Sequence, residues 1–454
     1  MKKIVLFLMI FGLMAATGWS ADSRENDTPD ISSVKVLDLQ TAQRIALKAN
    51  PGIQAAEARL AQARAGVEQA RAAWWPRLDA TGALGRTRLS DTEFSVLQRS
   101  GGSDQSFDFS TAGLHATWVL FDGFFRSFKL EQMEFNEKSS LAAHQNSQRL
   151  LLSAVAKAFL NAQLVLTRIG IAEVDRKFYE QQVQDATNRF EVGTASRGAI
   201  LNFKVQLNSA MTDLLSNKRE YEAALYGLAA LLGLEDGKFP ETVRLAELDK
   251  DCRPAGDGET DIQKMIDDAL NIRPDLHSLS MQAQLAETEV GQAKSLYWPR
   301  IFLAGSVNGA TQEDYTLSGD DFGNSISVNL AWNLYSAGEN RAKITAAEQR
   351  KREIIFSMAD LRNQVASVIR QEIALVAAAR EQVELQQKSV LLVEENRQLA
   401  QGEYDAGAAS LVRLNEAQRD LTTTYGRLAQ ARVNYQLARQ RLLSATGQNL
   451  YLIN

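Results

Sequence analysis

Two stretches of the chain alternate apolar and polar residues with a period of two, and long helix-like segments surround them. Before Gly338, Ile326, Val328, Leu330, Trp332 and Leu334 fall on one side, and Ser325, Ser327, Asn329 and Asn333 on the other. After Pro299, Ile301, Leu303, Gly305 and Val307 alternate with Phe302, Ala304, Ser306 and Asn308. The same pattern follows Pro76, where Leu78, Ala80, Gly82 and Leu84 alternate with Arg77, Asp79, Thr81 and Ala83. It also precedes Gly123, where Ala112, Leu114, Ala116, Trp118 and Leu120 alternate with Thr111, Gly113, His115 and Thr117. A period of two predicts strands. The pattern predicts two hairpins, over 76–122 and 299–336, with polar loops near 90–107 and 311–322.

Between the hairpins the period is helical. Segments 39–73, 123–190 and the stretch ending at Gly233 are predicted helices, and so are 261–297, 338–402 and 409–446. The seven prolines leave 77–239 and 300–454 free, so long uninterrupted helices are possible within those spans. A helix of nearly 70 residues is about 100 Å long at 1.5 Å per residue. Two shorter helices end to end match one long helix, and alanine-rich faces allow close coiled-coil packing.

The two halves are copies. "AAWWPRLDATGAL" at 72–84 is answered by "SLYWPRIFLAGSV" at 295–307, 223 residues on. Pro51 lies 25 residues before Pro76, and Pro274 lies 25 before Pro299. Downstream, Trp118 and Trp332, Gly193 and Gly407, and Gly233 and Gly447 are each 214 apart. The offset changes inside the first polar loop, where length is tolerated. The chain therefore divides into a leader (1–20), an extension (21–38), repeats at 39–233 and 261–447, a linker (234–260) and a tail (448–454).

Three features read the hairpins as membrane strands. They are long enough to cross a bilayer with tilt, about 9–11 residues sufficing. One face is apolar and the other small or polar, as in a water-filled barrel. Aromatic residues gather at the helix-side ends: Trp74, Trp75 and Phe121 in one half, Tyr297, Trp298 and Tyr335 in the other. Pro76 and Pro299 are the joints where a helix stops and a strand begins. Four strands cannot close alone, and an open edge in lipid leaves backbone groups unsatisfied. Two, three or four copies would close the barrel. The competing class is a periplasmic coiled-coil adaptor or scaffold without a pore; the alternation over 323–335 favours a channel.

Composition removes other classes. The net charge of −5 is mild and no basic patch suggests nucleic acid. "MKKIVLFLMIFGLMAATGWSADSRE" has the form of a cleaved secretory signal. Cys252 is the sole cysteine, so neither lipidation after the leader nor a metal-type cysteine spacing is expected. No later apolar run is read as a transmembrane helix. His115, His144 and His277 are scattered, and no phosphate loop or nucleophile elbow is present. The chain is read as no enzyme, with no catalytic residue, cofactor or metal, so energy for transport comes from a partner.

The duplicated proline spacing, the Pro76 and Pro299 joints, the twin strand pairs and the turns Val192-Gly193-Thr194 and Ala406-Gly407-Ala408 resemble the TolC-like outer membrane efflux proteins over nearly the whole mature chain. The resemblance implies a homotrimer whose chains complete a 12-stranded transmembrane β-barrel and a long antiparallel coiled-coil α-helical barrel. It implies a passive duct, in drug efflux or type I protein secretion, working with a periplasmic adaptor and an inner-membrane transporter of efflux or ABC type. It implies that the two turns are the adaptor-docking tips. It also places a periplasmic gate at the second turn, with Tyr404, Asp405, Arg413 and Glu416 as candidates. The family has acidic residues at the last two positions; Arg413 departs from that pattern, and its pairing with Glu416 or a neighbouring chain is expected.

Overall fold

The computed structural model describes residues 31, 34–99, 104–249, 261–311 and 315–451. The leader, Cys252 and parts of the linker, tail and both strand-to-strand loops lie outside them.

The two halves have matching helices. The first contains α1 (Leu39–Ala49), α2 (Pro51–Ala72), α4 (Phe125–Glu191) and α5 (Arg197–Leu232). The second contains α6 (Ile262–Ile272), α7 (Pro274–Ser295), α8 (Glu339–Asp405) and α9 (Leu411–Thr446). Pair by pair the lengths are equal: 11, 22, 67 and 36 residues. The expected continuous helices over 39–73 and 261–297 are each broken. Asn50 and Arg273 have ψ of 122° and 124°. A residue before proline is pushed out of the helical region, and the proline then starts a new helix.

Helix α4 packs between α2 and α5, α8 packs between α7 and α9, and α4 also contacts α7 and α9 across the repeats. One stretch of α4 is apolar enough to cross a membrane, contrary to the sequence expectation, and half of it is buried in this chain. Its Leu151, Leu152, Val155 and Phe159 are core residues. Leu151, Val155 and Phe159 meet Ile45 of α1 and Leu228 and Leu232 of α5 in the largest apolar cluster among the described residues. That cluster also takes in β1 (Val36–Leu37), which pairs in parallel with β4 (Arg244–Leu245). The extension and linker thus supply a two-stranded clip that no local pattern announced.

The second sheet is antiparallel throughout, in the order β2 (Arg77–Arg88), β3 (Ser106–Phe121), β5 (Arg300–Thr311), β6 (Phe322–Ala331). Strand β6 ends at Ala331, so Trp332, Leu334 and Tyr335 lie beyond it rather than on it. The first loop also differs from expectation. It holds a helix, α3 (Asp91–Arg99), opened by a reciprocal cap in which Glu93 N donates to Ser90 Oγ and Ser90 N donates to Glu93.

Candidate functional site

The register fixes which side chains share a face of the sheet. Directly opposed residues lie on the same face. Leu78 opposes Ala116, Leu114 opposes Val307, Trp118 opposes Leu303, and Val328 opposes Leu303 from the other side. One face therefore carries Leu78, Leu84, Leu114, Trp118, Leu303, Val307, Ile326, Val328 and Leu330, most of them exposed. Ile326 is 78% exposed and Leu330 64%, an arrangement unstable in water and normal against lipid. The apolar band ends, at the side away from the long helices, in Arg86, Arg88 and Asp108.

The opposite face carries the polar side chains, with Phe107 and Phe109 at its outer end and Val119 and Phe302 at its helix-side end. Asp79 opposes His115, which opposes Ser306, which opposes Ser325. Thr81 Oγ1 lies 3.4 Å from His115 Nε2, Asn308 Nδ2 donates to Ser306 Oγ at 3.1 Å, and Ser306 and Ser325 hydroxyls are 2.9 Å apart. Gly113 leaves room for this: a Cβ there would lie 2.5 Å from Asn308 Oδ1 and 2.9 Å from Thr81 Oγ1. Strands β2 and β6 are the sheet's two free edges.

The joints are built twice from the same contact. The indole N–H of Trp118 donates to Trp74 O at 2.9 Å, and that of Trp332 donates to Tyr297 O at 3.1 Å. Each ties the end of a hairpin to the end of the helix that enters it. Trp298 meets Phe121 edge-on at 6.4 Å, and the Arg126 guanidinium lies 4.6 Å over Trp74. Trp75 and Tyr335 project outward, 76% and 87% exposed. Gly123 has φ +67°, and a Cβ there would lie 2.6 Å from Trp298, so only glycine fits.

At the far end, both turns use one design. Gly193 (φ +81°) and Gly407 (φ +74°) are left-handed. Thr194 N donates to Arg189 O at 2.8 Å and Ala408 N to Glu403 O at 2.8 Å, which satisfies the last helical carbonyls. Ser196 and Ser410 then cap the returning helices through Ala199 N and Arg413 N.

The four gate candidates separate. Arg189 donates to Asp405 at 2.7 Å and lies over the Tyr404 ring at 5.4 Å, while Tyr404 meets Phe203 edge-on. Burial raises the Tyr404 pKa, with Arg189 opposing. Tyr404 and Asp405 thus hold the second tip to the first within one chain, beside Phe178, Phe203 and Leu414. Asn415 adds a 2.8 Å bond to Asn202. Arg413 does not pair with Glu416; its guanidinium donates to Asn396 of α8 at 2.8 Å, since Asn396 faces it across the hairpin. Glu416 is exposed.

Two polar features were missed by sequence reasoning. Asp175 of α4 accepts from Gln418 at 2.8 Å and Thr422 at 2.9 Å of α9. Burial raises its pKa against those hydrogen bonds. Arg149 and Arg273, 7% and 9% exposed, enclose Asp275. Arginine on a helix reads as solvated, so only three-dimensional placement reveals this cluster.

The family described as "Outer membrane efflux protein" matches residues 43–234 and 265–448. The chain is 25% identical over 361 residues to the "Cation efflux system protein CusC" of Escherichia coli strain K12, spanning 76% of this chain and 74% of that protein. It is 23% identical over 441 residues to the "Probable outer membrane lipoprotein SilC" of Salmonella typhimurium, spanning 94% and 91%. The solved Campylobacter jejuni CmeC outer membrane channel shares the fold, with a TM-score of 0.76 at 18% identity over 90% of this chain and 86% of that one.

Proposed function

Because the chain belongs to the outer membrane efflux protein family, we propose that three copies close a twelve-stranded barrel in the outer membrane and continue it as a helical tunnel through the periplasm. The assembly is a passive exit duct. An inner-membrane transporter delivers the cargo and a periplasmic adaptor holds the two together. One observation carries this reading: a four-stranded sheet with an exposed apolar face, a polar face and two free edges. Lipid satisfies the first, a water-filled lumen the second, and neighbouring copies the third. CusC, named for cation efflux, favours small solutes over polypeptides as cargo.

The remaining assignments follow from that placement. Val192, Gly193, Thr194, Ala406, Gly407 and Ala408 form the tip that meets the adaptor. Arg189, Tyr404 and Asp405 keep the tip closed within a chain, and Glu416 of each copy faces its counterparts at the entrance. Like charges repel there, so Arg413→Ala, which removes neighbouring positive charge, raises single-channel conductance; unchanged conductance at low salt places the gate elsewhere. The leader is removed on export. SilC is named as a lipoprotein; in this chain the strands are the membrane anchor that the exposed apolar face supports.

Leu330→Arg tests the whole reading. A charge on the lipid face near the bilayer midplane costs roughly 2–4 kcal/mol. The variant fails to form heat-stable trimers in outer membranes, whereas Asn329→Arg, on the lumen face, assembles. Normal assembly of both would overturn the membrane assignment.

A further inference from the structure

The duplicated phrase at the joints, Trp-Pro-Arg at 75–77 and 298–300, ends in an arginine in both repeats. Arg77 is the first residue of β2 and Arg300 the first of β5. Arg77 opposes Thr117, and Arg300 opposes Ala331. Counting in twos from these pairs puts Arg77 on the face of Asp79, Thr81 and His115, and Arg300 on the face of Ser306, Asn308 and Asn329. Both are on the polar face. The Arg77 side chain is 80% exposed and lies 2.9 Å from Asp79, its neighbour on that face.

The charge balance there is one-sided. Along this face of the four strands, the ionisable residues are Arg77, Asp79, Arg300 and His115. Asp79 offsets Arg77. No ion pair to Arg300 is found among the described residues, so each chain contributes a net positive charge where the strands leave the helices. The arginines come from both hairpins, so they alternate around the mouth of a closed barrel.

Resting on the channel reading above, we propose that Arg77 and Arg300 from three chains form a basic ring at the periplasmic mouth of the barrel, which favours small anionic solutes over cations in the lumen. A ring of like charge on low-dielectric walls focuses potential along the axis. The ring lies a helix length from Glu416, about 100 Å along α8 and its partners, so the two act as independent filters in series.

The test reads local potential and does not need an open entrance. In full-length protein carrying Cys252→Ser, Asn329→Cys places a thiol on the lumen face near the ring. Outer-membrane vesicles are treated with an anionic and a cationic methanethiosulfonate of similar size. At about 0.1 M salt the anionic reagent gains about fivefold over the cationic one relative to a free thiol, and the gain shrinks as salt rises. Arg77→Gln with Arg300→Gln abolishes the gain, Arg300→Glu reverses it, and Arg300→Lys keeps it. If the double glutamine variant does not assemble, Arg300→Gln alone halves the gain or more. An unchanged ratio in assembled glutamine variants overturns the ring. Val328→Cys separates this outcome from failure of the channel reading: a thiol there that labels readily, with Asn329→Cys silent, means the faces are inverted and both proposals fall.

Discussion

The two repeats close the same joint with different chemistry. In the first, the Asn50 side chain donates at 2.9 Å to Leu231 O, near the end of α5. In the second, Arg273 occupies the matching place before proline and donates at 2.6 Å to Ala445 O, near the end of α9. The target carbonyls correspond, because the last turn of a helix leaves acceptors without intrahelical partners. The donors differ in reach. A Cβ on Gly233 would lie 2.4 Å from Ala49 O, so the short amide draws backbone against backbone. A Cβ on Gly447 would first meet Arg273 Cγ at 3.4 Å. The longer side chain holds its helices apart and fills the gap with its own stem.

That length brings charge into the interior. Burial lowers the pKa of Arg149, and nearby Arg273 lowers it further. Burial would raise Asp275, but hydrogen bonds and charge from Arg273, then Arg149, hold it below the usual carboxylate value. Arg149 also donates to Ser444 O at 2.8 Å, and its own carbonyl accepts from Asn449. The second joint therefore ties α4 of the first repeat to α9 and to the start of the tail, a cross-repeat link made by charged groups. Duplication preserved where a hydrogen bond must land and left open how it is delivered.

The largest effect that could break this contrast is at the donors. Arg273→Ala leaves Arg149 and Asp275 buried with an incomplete set of partners and costs about 3–5 kcal/mol. Asn50→Ala removes one hydrogen bond and a helix cap, for about 1–2 kcal/mol. Thermal unfolding of the detergent-solubilised protein should rank them in that order; equal shifts would mean that charge is not what distinguishes the joints. Next come the glycines. Both are left-handed, which costs roughly 1–2 kcal/mol for alanine. Gly233→Ala adds a backbone clash that Gly447→Ala lacks, so its melting temperature should fall further.

Acid gives the smallest and most local difference. The depressed Asp275 contributes stability above the unfolded carboxylate value of about 3.9, and that stability is lost as pH falls through its lower folded value. Amide exchange near Thr446 and Gly447 should accelerate on acidification relative to neighbouring helix, while Leu232 and Gly233 show no such change. Asp175 carries the opposite sign. Its raised folded value means that the folded state gains as pH falls through it, so Asp175→Asn should raise the melting temperature at neutral pH and flatten its rise on acidification.

Much of this architecture is legible in the sequence because its signals are local. Proline, left-handed glycine and a change of period from helical to two mark every joint and tip. The break at Asn50 was legible too, since the residue before a helical proline leaves the helix. So was α3, whose Ser90 and Glu93 have capping-box spacing. The rest depends on partners far along the chain. Strands β1 and β4 have two residues each and lie about 200 residues apart, with no periodicity to read. The Arg189–Asp405 contact and the buried Arg149, Arg273 and Asp275 join residues that look like solvated helix surface until the repeats are packed together.

The equal helix lengths constrain how such a protein can vary. The loops at the outer end differ between repeats: among the described residues the first contains a nine-residue α-helix and the second a three-residue 3-10 turn. Every helix on the other side matches its twin residue for residue. Changes of length have been confined to the side where nothing measures them. Below the membrane, the two copies behave as the paired rails of a ladder: one lengthened alone would tilt the rungs and misalign the tips. A viable increase in reach must enter both rails and both return helices together, which makes the depth of the molecule a heritable dimension, altered by coordinated steps and not by single insertions.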